Sequence, residues 1–156
     1  MYLDDYIDLN NLERSWGSPN SMFYIKDGLE DEVLAQLQQM EHVSVYKKED
    51  FPAQYHYHNS DRIANVIGVC DEGWTLTSHA LAMERPTYLS GGAHGYIPDL
   101  LSMTATFVAN GRSFKQGFES TSTVRNLDVY SLLTHLLGLP AAPNNGTLDN
   151  MKQFLV

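Results

Sequence analysis

A histidine in a glycine-rich stretch has the setting that most favours chemistry. The stretch reads Gly91-Gly92-Ala93-His94-Gly95-Tyr96, so small residues lie on both sides of the His94 imidazole. Small neighbours let the backbone approach a ligand closely and leave the ring uncrowded. A neutral imidazole is the commonest metal ligand and also acts as an acid or base. His94 is therefore a candidate for metal binding or catalysis, and a surface loop with an incidental histidine is the alternative.

A second candidate is the pair His56 and His58. On a strand, residues two apart face the same side, so both rings could hold one metal with Asp61 nearby. The tyrosines that alternate with them would then form the buried side. The favoured interpretation is that both histidines lie on the solvent side of an edge strand.

Other polar groups are weaker candidates. The carboxylates of Asp4, Asp5 and Asp8 suit a hard cation, but their spacing fits no calcium loop, and a solvated terminus is favoured. Cys70 lies in an apolar run and is expected to be an inert core residue. Asn145-Gly146-Thr147 fits the glycosylation pattern, which matters only in a secreted eukaryotic protein.

Size and charge limit the function class. The chain has 156 residues, the size of one domain, and 10 basic against 19 acidic residues give a net charge of −9. This charge repels a phosphate backbone and an anionic membrane, so we expect no nucleic-acid polymer as a partner. No apolar run approaches the roughly 18 residues of a membrane span, and the first residues do not resemble a signal peptide. A single cysteine excludes a disulfide framework.

Apolar periodicity predicts the positions of the secondary-structure elements. Strands are expected at Met22–Ile25 and Val43–Tyr46, with a helix over about Glu30–Glu41 between them, so residues 20–50 form a βαβ-like unit. A helix is expected over about Val129–Leu137, ended by Gly138. The other expectations are an irregular stretch from Ser78 to Gly95, a closing helix Leu148–Leu155, a central buried strand Thr104–Val108, and further strands at Tyr2–Ile7, Tyr55–His58, Val66–Cys70 and Trp74–Thr77.

Short motifs follow one another along the chain in a characteristic order. They are Val45-Tyr46-Lys47-Lys48-Glu49-Asp50, Tyr55-His56-Tyr57, Arg62-Ile63, Asp71-Glu72-Gly73-Trp74, Gly92-Ala93-His94-Gly95-Tyr96, Ser102-Met103 with Phe107, Gly111-Arg112-Ser113-Phe114-Lys115, Asp128-Val129-Tyr130 and Pro143-Asn144-Asn145-Gly146-Thr147. In this order they resemble the carboxyl-terminal portion of nucleotide pyrophosphatase/phosphodiesterase domains, over nearly the whole chain. The order makes the resemblance specific, because any one motif alone would be weak.

The resemblance implies a layered, partial alkaline-phosphatase-like α/β fold, with a mixed β-sheet, flanking helices and the small βαβ unit. It also implies two zinc ions and a threonine nucleophile that cleave phosphodiester or pyrophosphate bonds of a small-molecule substrate. The histidine of the family's His-Gly-Tyr motif ligates one zinc, and His94 matches it. The family usually continues with Asp-Asn, whereas this chain has Ile97-Pro98-Asp99.

Several family residues have no match in this chain. The nucleophilic threonine, the first metal aspartate and the Asp-His pair of the Ser-Asp-His-Gly motif lie upstream of the segment that Tyr2–Tyr6 resembles. We therefore expect residues 1–156 to be the carboxyl-terminal portion of the domain, with no catalytic residue of its own. In isolation it should bind zinc weakly or not at all and be inactive. An exposed sheet edge and core would let such a fragment self-associate.

Two other functions remain open. The chain could be a non-catalytic binding or interaction module that partners a separate amino-terminal half. It could also be a small metal-binding protein that uses His56, His58 and His94 together. The resemblance implies a secreted, periplasmic or otherwise extracytoplasmic location.

Overall fold

The computed structural model describes residues 1–16, 19–85 and 91–156, and the backbone alone of Trp16. The described residues divide into two units, Met1–Ala105 and Thr106–Val156. The strands are β1 (Leu12–Trp16), β2 (Asn20–Ile25), β3 (Val43–Lys47) and β4 (Val66–Cys70), and the α-helices are α1 (Glu30–Leu37), α2 (His79–Glu84) and α3 (Asp128–Leu137). In these ranges no helix has the length and apolar character that a bilayer crossing requires.

The four strands form one sheet in the first unit, in the order β1-β2-β4-β3. Every neighbouring pair is antiparallel. Strands β2 and β3 therefore run in the same direction with β4 between them, and α1 connects them in a split βαβ arrangement. The α/β fold class is confirmed, but the sheet is antiparallel rather than mixed.

The core of the first unit lies between this sheet and α1. Val33 and Leu37, one helical turn apart, are both fully buried, as is Phe23 on β2. Phe23 lies against Gly68 on β4, where an added Cβ would come within 3.0 Å of the phenyl ring. A larger residue at position 68 would therefore displace the ring.

Three predicted strands of the first unit are absent from the described structure. Leu3–Asp5 is a short 3₁₀ helix where a strand was expected at Tyr2–Ile7. The segment expected as a strand at Tyr55–His58 instead follows the 3₁₀ helix Ala53–Tyr55, and Trp74–Thr77 contributes only a single bridge, between Thr77 and Tyr2. In each case the apolar alternation reflects packing of individual side chains rather than strand pairing.

Other boundaries in the first unit differ less. Helix α1 begins at the predicted Glu30 but ends at Leu37, because the chain turns before β3. The stretch expected to be irregular contains α2, whose first turn is capped by the Ser78 hydroxyl, the acceptor for the Leu81 N–H. Residues 86–90 of that stretch lie outside the described residues.

The prediction of a central buried strand at Thr104–Val108 is wrong. Residues 104–110 form neither helix nor strand, and the Val108 side chain is 83% exposed. The apolar run indicates a segment that favours burial, but its backbone pairs with no strand in the described chain. The closing helix is also shorter than predicted, a 3₁₀ turn over Lys152–Phe154. Helix α3 is confirmed, with Gly138 at its end in the left-handed region at φ 64°.

A buried carboxylate ties α3 to the loop that follows it. Asp128 is fully buried and accepts hydrogen bonds from the Thr147 N–H (2.9 Å), the Asn150 amide (2.9 Å) and the Arg125 guanidinium (3.1 Å). Burial by itself raises the pKa of Asp128, but these hydrogen bonds and the Arg125 charge outweigh it and hold the pKa well below the ordinary value of 3.8. The Asn145-Gly146-Thr147 sequence thus has a structural role, because the Thr147 N–H is one of the donors to Asp128.

Replacement of Phe23 by Ala should lower the free energy of unfolding by about 3–5 kcal/mol, because it leaves a cavity between β4 and α1. Urea unfolding followed by tryptophan fluorescence measures this, since both tryptophans belong to the first unit. Met83→Ala is the control, because that side chain is largely exposed, and it should change stability by less than about 0.5 kcal/mol. Equal effects of the two variants would contradict the assigned core.

Asp128→Asn should destabilise the second unit by about 3 kcal/mol at neutral pH, because an amide cannot accept the same set of hydrogen bonds. The folded pKa lies below the unfolded one, so the carboxylate stabilises the fold above about pH 4, and this stabilisation is lost as the pH falls further. The difference between wild type and variant should therefore shrink below that pH. Hydrogen exchange of the α3 amides reports it, and Asp149→Asn, which changes an exposed carboxylate, is the matched control.

Candidate functional site

The structure places His94 on an exposed loop of the first unit. Its imidazole makes no hydrogen bond or ion pair with any part of the chain that the structure describes. Within the described residues, both ring nitrogens are therefore without a partner, and each can act as a donor or acceptor toward another group. This is the exposed position that the flanking glycines predicted.

The loop is held in place by Tyr96, two residues after His94. Tyr96 is buried in the core of the first unit, and its hydroxyl donates a 3.0 Å hydrogen bond to the Trp74 carbonyl. The backbone at His94 is therefore tied to the turn that follows β4. An exposed ligand next to a buried anchor is limited in its movement.

The turn that receives Tyr96 is itself braced. The Trp74 N–H donates to the Asp71 carbonyl at 3.0 Å, and the indole stacks on the His42 ring at 4.0 Å. His42 Nδ1 lies 3.2 Å from an Asp71 carboxylate oxygen, and the Asp71 N–H donates to the His42 carbonyl at 2.9 Å. The segment between α1 and β3 therefore supports the turn on which the His94 loop depends.

Glycines in the loop serve backbone conformation rather than close approach. Gly91 and Gly95 have φ of 97° and 93°, a region that residues with a side chain rarely adopt. At Gly91 and Gly92 an added Cβ would meet nothing within 4 Å, and at Gly95 it would meet Pro19 at an ordinary 3.6 Å. Pro19 precedes β2 and accepts the Cys70 N–H from the end of β4, so the loop lies beside these strand ends.

The segment after the loop departs from the family pattern but is also anchored. The Tyr55 hydroxyl donates to the Asp99 carboxylate at 2.7 Å. This hydrogen bond, together with burial, raises the pKa of Tyr55. Tyr55 and Trp74 are thus the supports of the loop that sequence reasoning missed, and only their place in the quoted motifs pointed to them.

The second histidine pair does not lie on a strand. His56 is exposed, in the left-handed region at φ 51°, and His58 is half-buried on irregular backbone. Across residues 1–16, 19–85 and 91–156, no three His, Cys, Asp or Glu side chains come together as a metal-binding group. The reading in which His56, His58 and His94 share one metal therefore finds no support in the described chain.

The acidic residues near the amino terminus have structural partners. Both carboxylate oxygens of Asp4 accept the His79 N–H at the start of α2, and Asp5 lies 2.9 Å from His79 Nε2. Asp8 accepts the Asn10 N–H in its own turn. Cys70 is buried as predicted, and burial raises the pKa of its thiol to about 11, so it is protonated and unreactive at neutral pH.

His94 fits zinc as one ligand. An exposed imidazole on an anchored loop, with no partner among the described residues, is a suitable donor, and imidazole nitrogen is among the groups that zinc prefers. A zinc centre generally needs three or more protein ligands, and the described residues offer no such group around His94.

Comparison with known proteins decides the family. The model of the type I phosphodiesterase/nucleotide pyrophosphatase family matches residues 1–97, which include His94. Human ectonucleotide pyrophosphatase/phosphodiesterase family member 5 is 37% identical over 154 residues, and the bovine bis(5′-adenosyl)-triphosphatase ENPP4 is 41% identical over 115 residues. The chain belongs to the type I phosphodiesterase/nucleotide pyrophosphatase family.

Solved structures of family members share the fold. Human ectonucleotide pyrophosphatase/phosphodiesterase 5 superposes with a TM-score of 0.88 at 34% identity, over 99% of this chain. An inactive variant of the murine protein, in complex with AMP, superposes with a TM-score of 0.89 at 33% identity. The α/β arrangement is therefore that of the alkaline-phosphatase-like family fold.

The match covers only part of each relative. The match with the human curated relative takes in 98% of this chain but only 31% of the relative's length. The match with the bovine relative takes in 24% of that protein's length. It covers 40% of the chain in each of the two solved structures.

Gly95→Ala should destabilise the first unit by about 1–2 kcal/mol, because alanine is strained at a φ of 93°. Gly92→Ala is a matched control three residues away, since its φ is ordinary and its Cβ would have free space. It should be neutral or slightly stabilising. Urea unfolding followed by tryptophan fluorescence separates the two, and equal stabilities would contradict the loop conformation.

Proposed function

We propose that residues 1–156 are the carboxyl-terminal portion of a zinc-dependent phosphodiesterase/nucleotide pyrophosphatase domain, to which the chain contributes the zinc ligand His94. The observation that carries the proposal is the exposed imidazole of His94, which has no partner among the described residues, beside the buried anchor Tyr96 and inside the span that the family model matches. Gly91 and Gly95, both at positive φ, and the core residue Tyr96 hold this part of the loop, which supports a defined role for His94.

His94 would act through one ring nitrogen as a metal ligand. The chemistry that zinc supplies when bound is polarisation of the phosphoryl oxygens and activation of the nucleophile. Tyr96, through Trp74, restricts the position of the His94 backbone, and Tyr55, through Asp99, restricts the segment that follows. Neither hydrogen bond involves the imidazole itself, which among the described residues has no partner.

The proposed substrate is a small-molecule phosphodiester or pyrophosphate. The AMP complex of the murine relative supports a nucleotide, and the bovine relative is named for a dinucleoside triphosphate. A net charge of −9 disfavours a long polyanion, because each added phosphate would be repelled. The residues that would select the substrate are not assigned to this chain.

The isolated chain is proposed to lack activity. The sequence contains no Ser-Asp-His-Gly motif, and the described residues form no group of three candidate ligands. A two-metal mechanism needs several ligands and an in-line nucleophile held within a few ångströms of the substrate. One imidazole cannot supply this.

The purified chain, incubated with excess zinc and a nitrophenyl phosphodiester, should release nitrophenol at the background rate. His94→Ala should be indistinguishable from it, as should the matched control His56→Ala, which changes another exposed histidine. Metal-dependent turnover that disappears only in His94→Ala would show a complete site and overturn the proposed inactivity.

In a longer family protein that includes this chain, His94→Ala should remove most of the zinc from one site and most of the activity, because a site of few ligands loses its geometry when one is removed. Zinc content by atomic emission and the rate of phosphodiester hydrolysis measure the two effects. Full zinc content with normal turnover would refute the ligand role of His94.

A further inference from the structure

His42 keeps a side chain at a position where the backbone favours glycine. It directly precedes β3 and has a φ of 59°, in the left-handed region. Among the described residues only His56 shares this property, since the other positive φ values belong to glycines. Histidine tolerates this region better than most residues, but glycine adopts it without cost. A residue held in such a conformation indicates a function for its side chain.

The His42 imidazole contacts both ends of the turn that follows β4. Its ring stacks on the Trp74 indole, with the ring centroids 4.0 Å apart and the planes within 8° of parallel. Its Nδ1 lies 3.2 Å from a carboxylate oxygen of Asp71. Among the described residues, no other aromatic ring stacks on Trp74. The imidazole therefore links the start of β3 to the far end of this turn.

The backbone pairing of β3 with β4 stops before Trp74. The ladder ends at the pair Val43 and Cys70, and one further hydrogen bond joins the Asp71 N–H to the His42 carbonyl at 2.9 Å. Beyond that point the Trp74 N–H donates to the Asp71 carbonyl, within the same turn. The stack on His42 is thus a side-chain contact that carries the order of the sheet on to Trp74.

Global stability gives only a weak reason for this arrangement. The side chains of His42 and Asp71 are 41% and 61% exposed, and a pair at such exposure adds little to the free energy of unfolding. Trp74 is half-exposed and lies outside the core cluster of the first unit. The Trp74 carbonyl, however, accepts the Tyr96 hydroxyl at 3.0 Å, two residues after His94. The arrangement therefore leads from the sheet to the His94 loop.

We propose that His42 is a positioning residue for His94, because the stack of its imidazole on Trp74 fixes the turn to which the His94 loop is tied. This inference rests on the proposed function, in which His94 is a zinc ligand. A loop that moves must be ordered when the metal binds, and this ordering lowers the affinity. A ligand whose loop is already held avoids that cost.

His42→Gly tests this role in the isolated chain without adding backbone strain, because glycine is favoured at a φ of 59°. The urea midpoint should stay unchanged or rise. Backbone order parameters from ¹⁵N relaxation at residues 93–95 should fall from about 0.85, a rigid value, to below about 0.6. The upfield ring-current shift that the imidazole causes at the Trp74 indole protons should disappear.

Three further variants assign the effect to the ring. His56→Gly is the matched control, because His56 also has a positive φ but its side chain has no partner among the described residues, and the order parameters should not change. His42→Asn tolerates the left-handed backbone and can donate to Asp71 but has no ring, so it should loosen the loop as glycine does. His42→Phe restores a ring and should recover the order parameters.

A longer family protein that includes this chain provides the metal measurement. His42→Gly should weaken zinc binding at one site on the order of tenfold in competition with a chelator, and excess zinc should restore the zinc content. His94→Ala should lose that zinc even when zinc is in excess, because the ligand itself is gone.

Two results would overturn the proposal. One is a set of order parameters at residues 93–95 that His42→Gly leaves unchanged. The other is failure of both His42→Gly and His42→Asn to fold, which would show that the residue is purely structural. Zinc content that survives His94→Ala would instead refute the ligand role of His94. The two failures are distinguishable, because the order parameters are measured without zinc.

Discussion

The first unit depends on the burial of β4. The strand pairs on both sides, with β2 and β3, and Val66, Ile67 and Gly68 are all buried. Apolar residues that face both sides of a sheet need layers on both sides, and α1 supplies one of them. Gly68 is part of the same constraint, because a Cβ at this position would come within 3.0 Å of the Phe23 ring.

The position of His94 is a consequence of this strand. β4 ends at Cys70, the Asp71–Trp74 turn follows, and the Trp74 carbonyl receives the Tyr96 hydroxyl two residues beyond His94. The ligand candidate is thus exposed, while the residue that fixes it belongs to the core. Stability and the proposed chemistry are connected here, since loss of core packing would release the loop before any change at the imidazole.

In the second unit the buried carboxylate has its hydrogen-bond partners, whereas several apolar side chains stay exposed. Asp128 makes three strong hydrogen bonds, which close the loop after α3 without help from outside the unit. Val108, Leu133 and Leu137 remain exposed. The core of the unit is therefore too small to cover all of its apolar side chains.

Local sequence patterns determined much of the secondary structure. β2, β3, β4 and the starts of α1 and α3 were predictable because each is a run of a few residues whose periodicity or capping signal is complete in itself. The burial of Cys70 and the exposure of His94 followed in the same way from apolar neighbours and flanking glycines. The order of the motifs carried the family resemblance.

Only the tertiary structure decided which residues pair or pack with one another. An apolar run such as Thr104–Val108 indicates a surface that favours burial, but it does not say whether a partner is present, and in the described chain none is. The insertion of β4 between β2 and β3, the use of Tyr55 and Trp74 as supports, and the role of Asp4 and Asp5 in holding α2 all join residues far apart in sequence. Such pairings depend on the whole chain, because many apolar or polar side chains of the right type compete for each place.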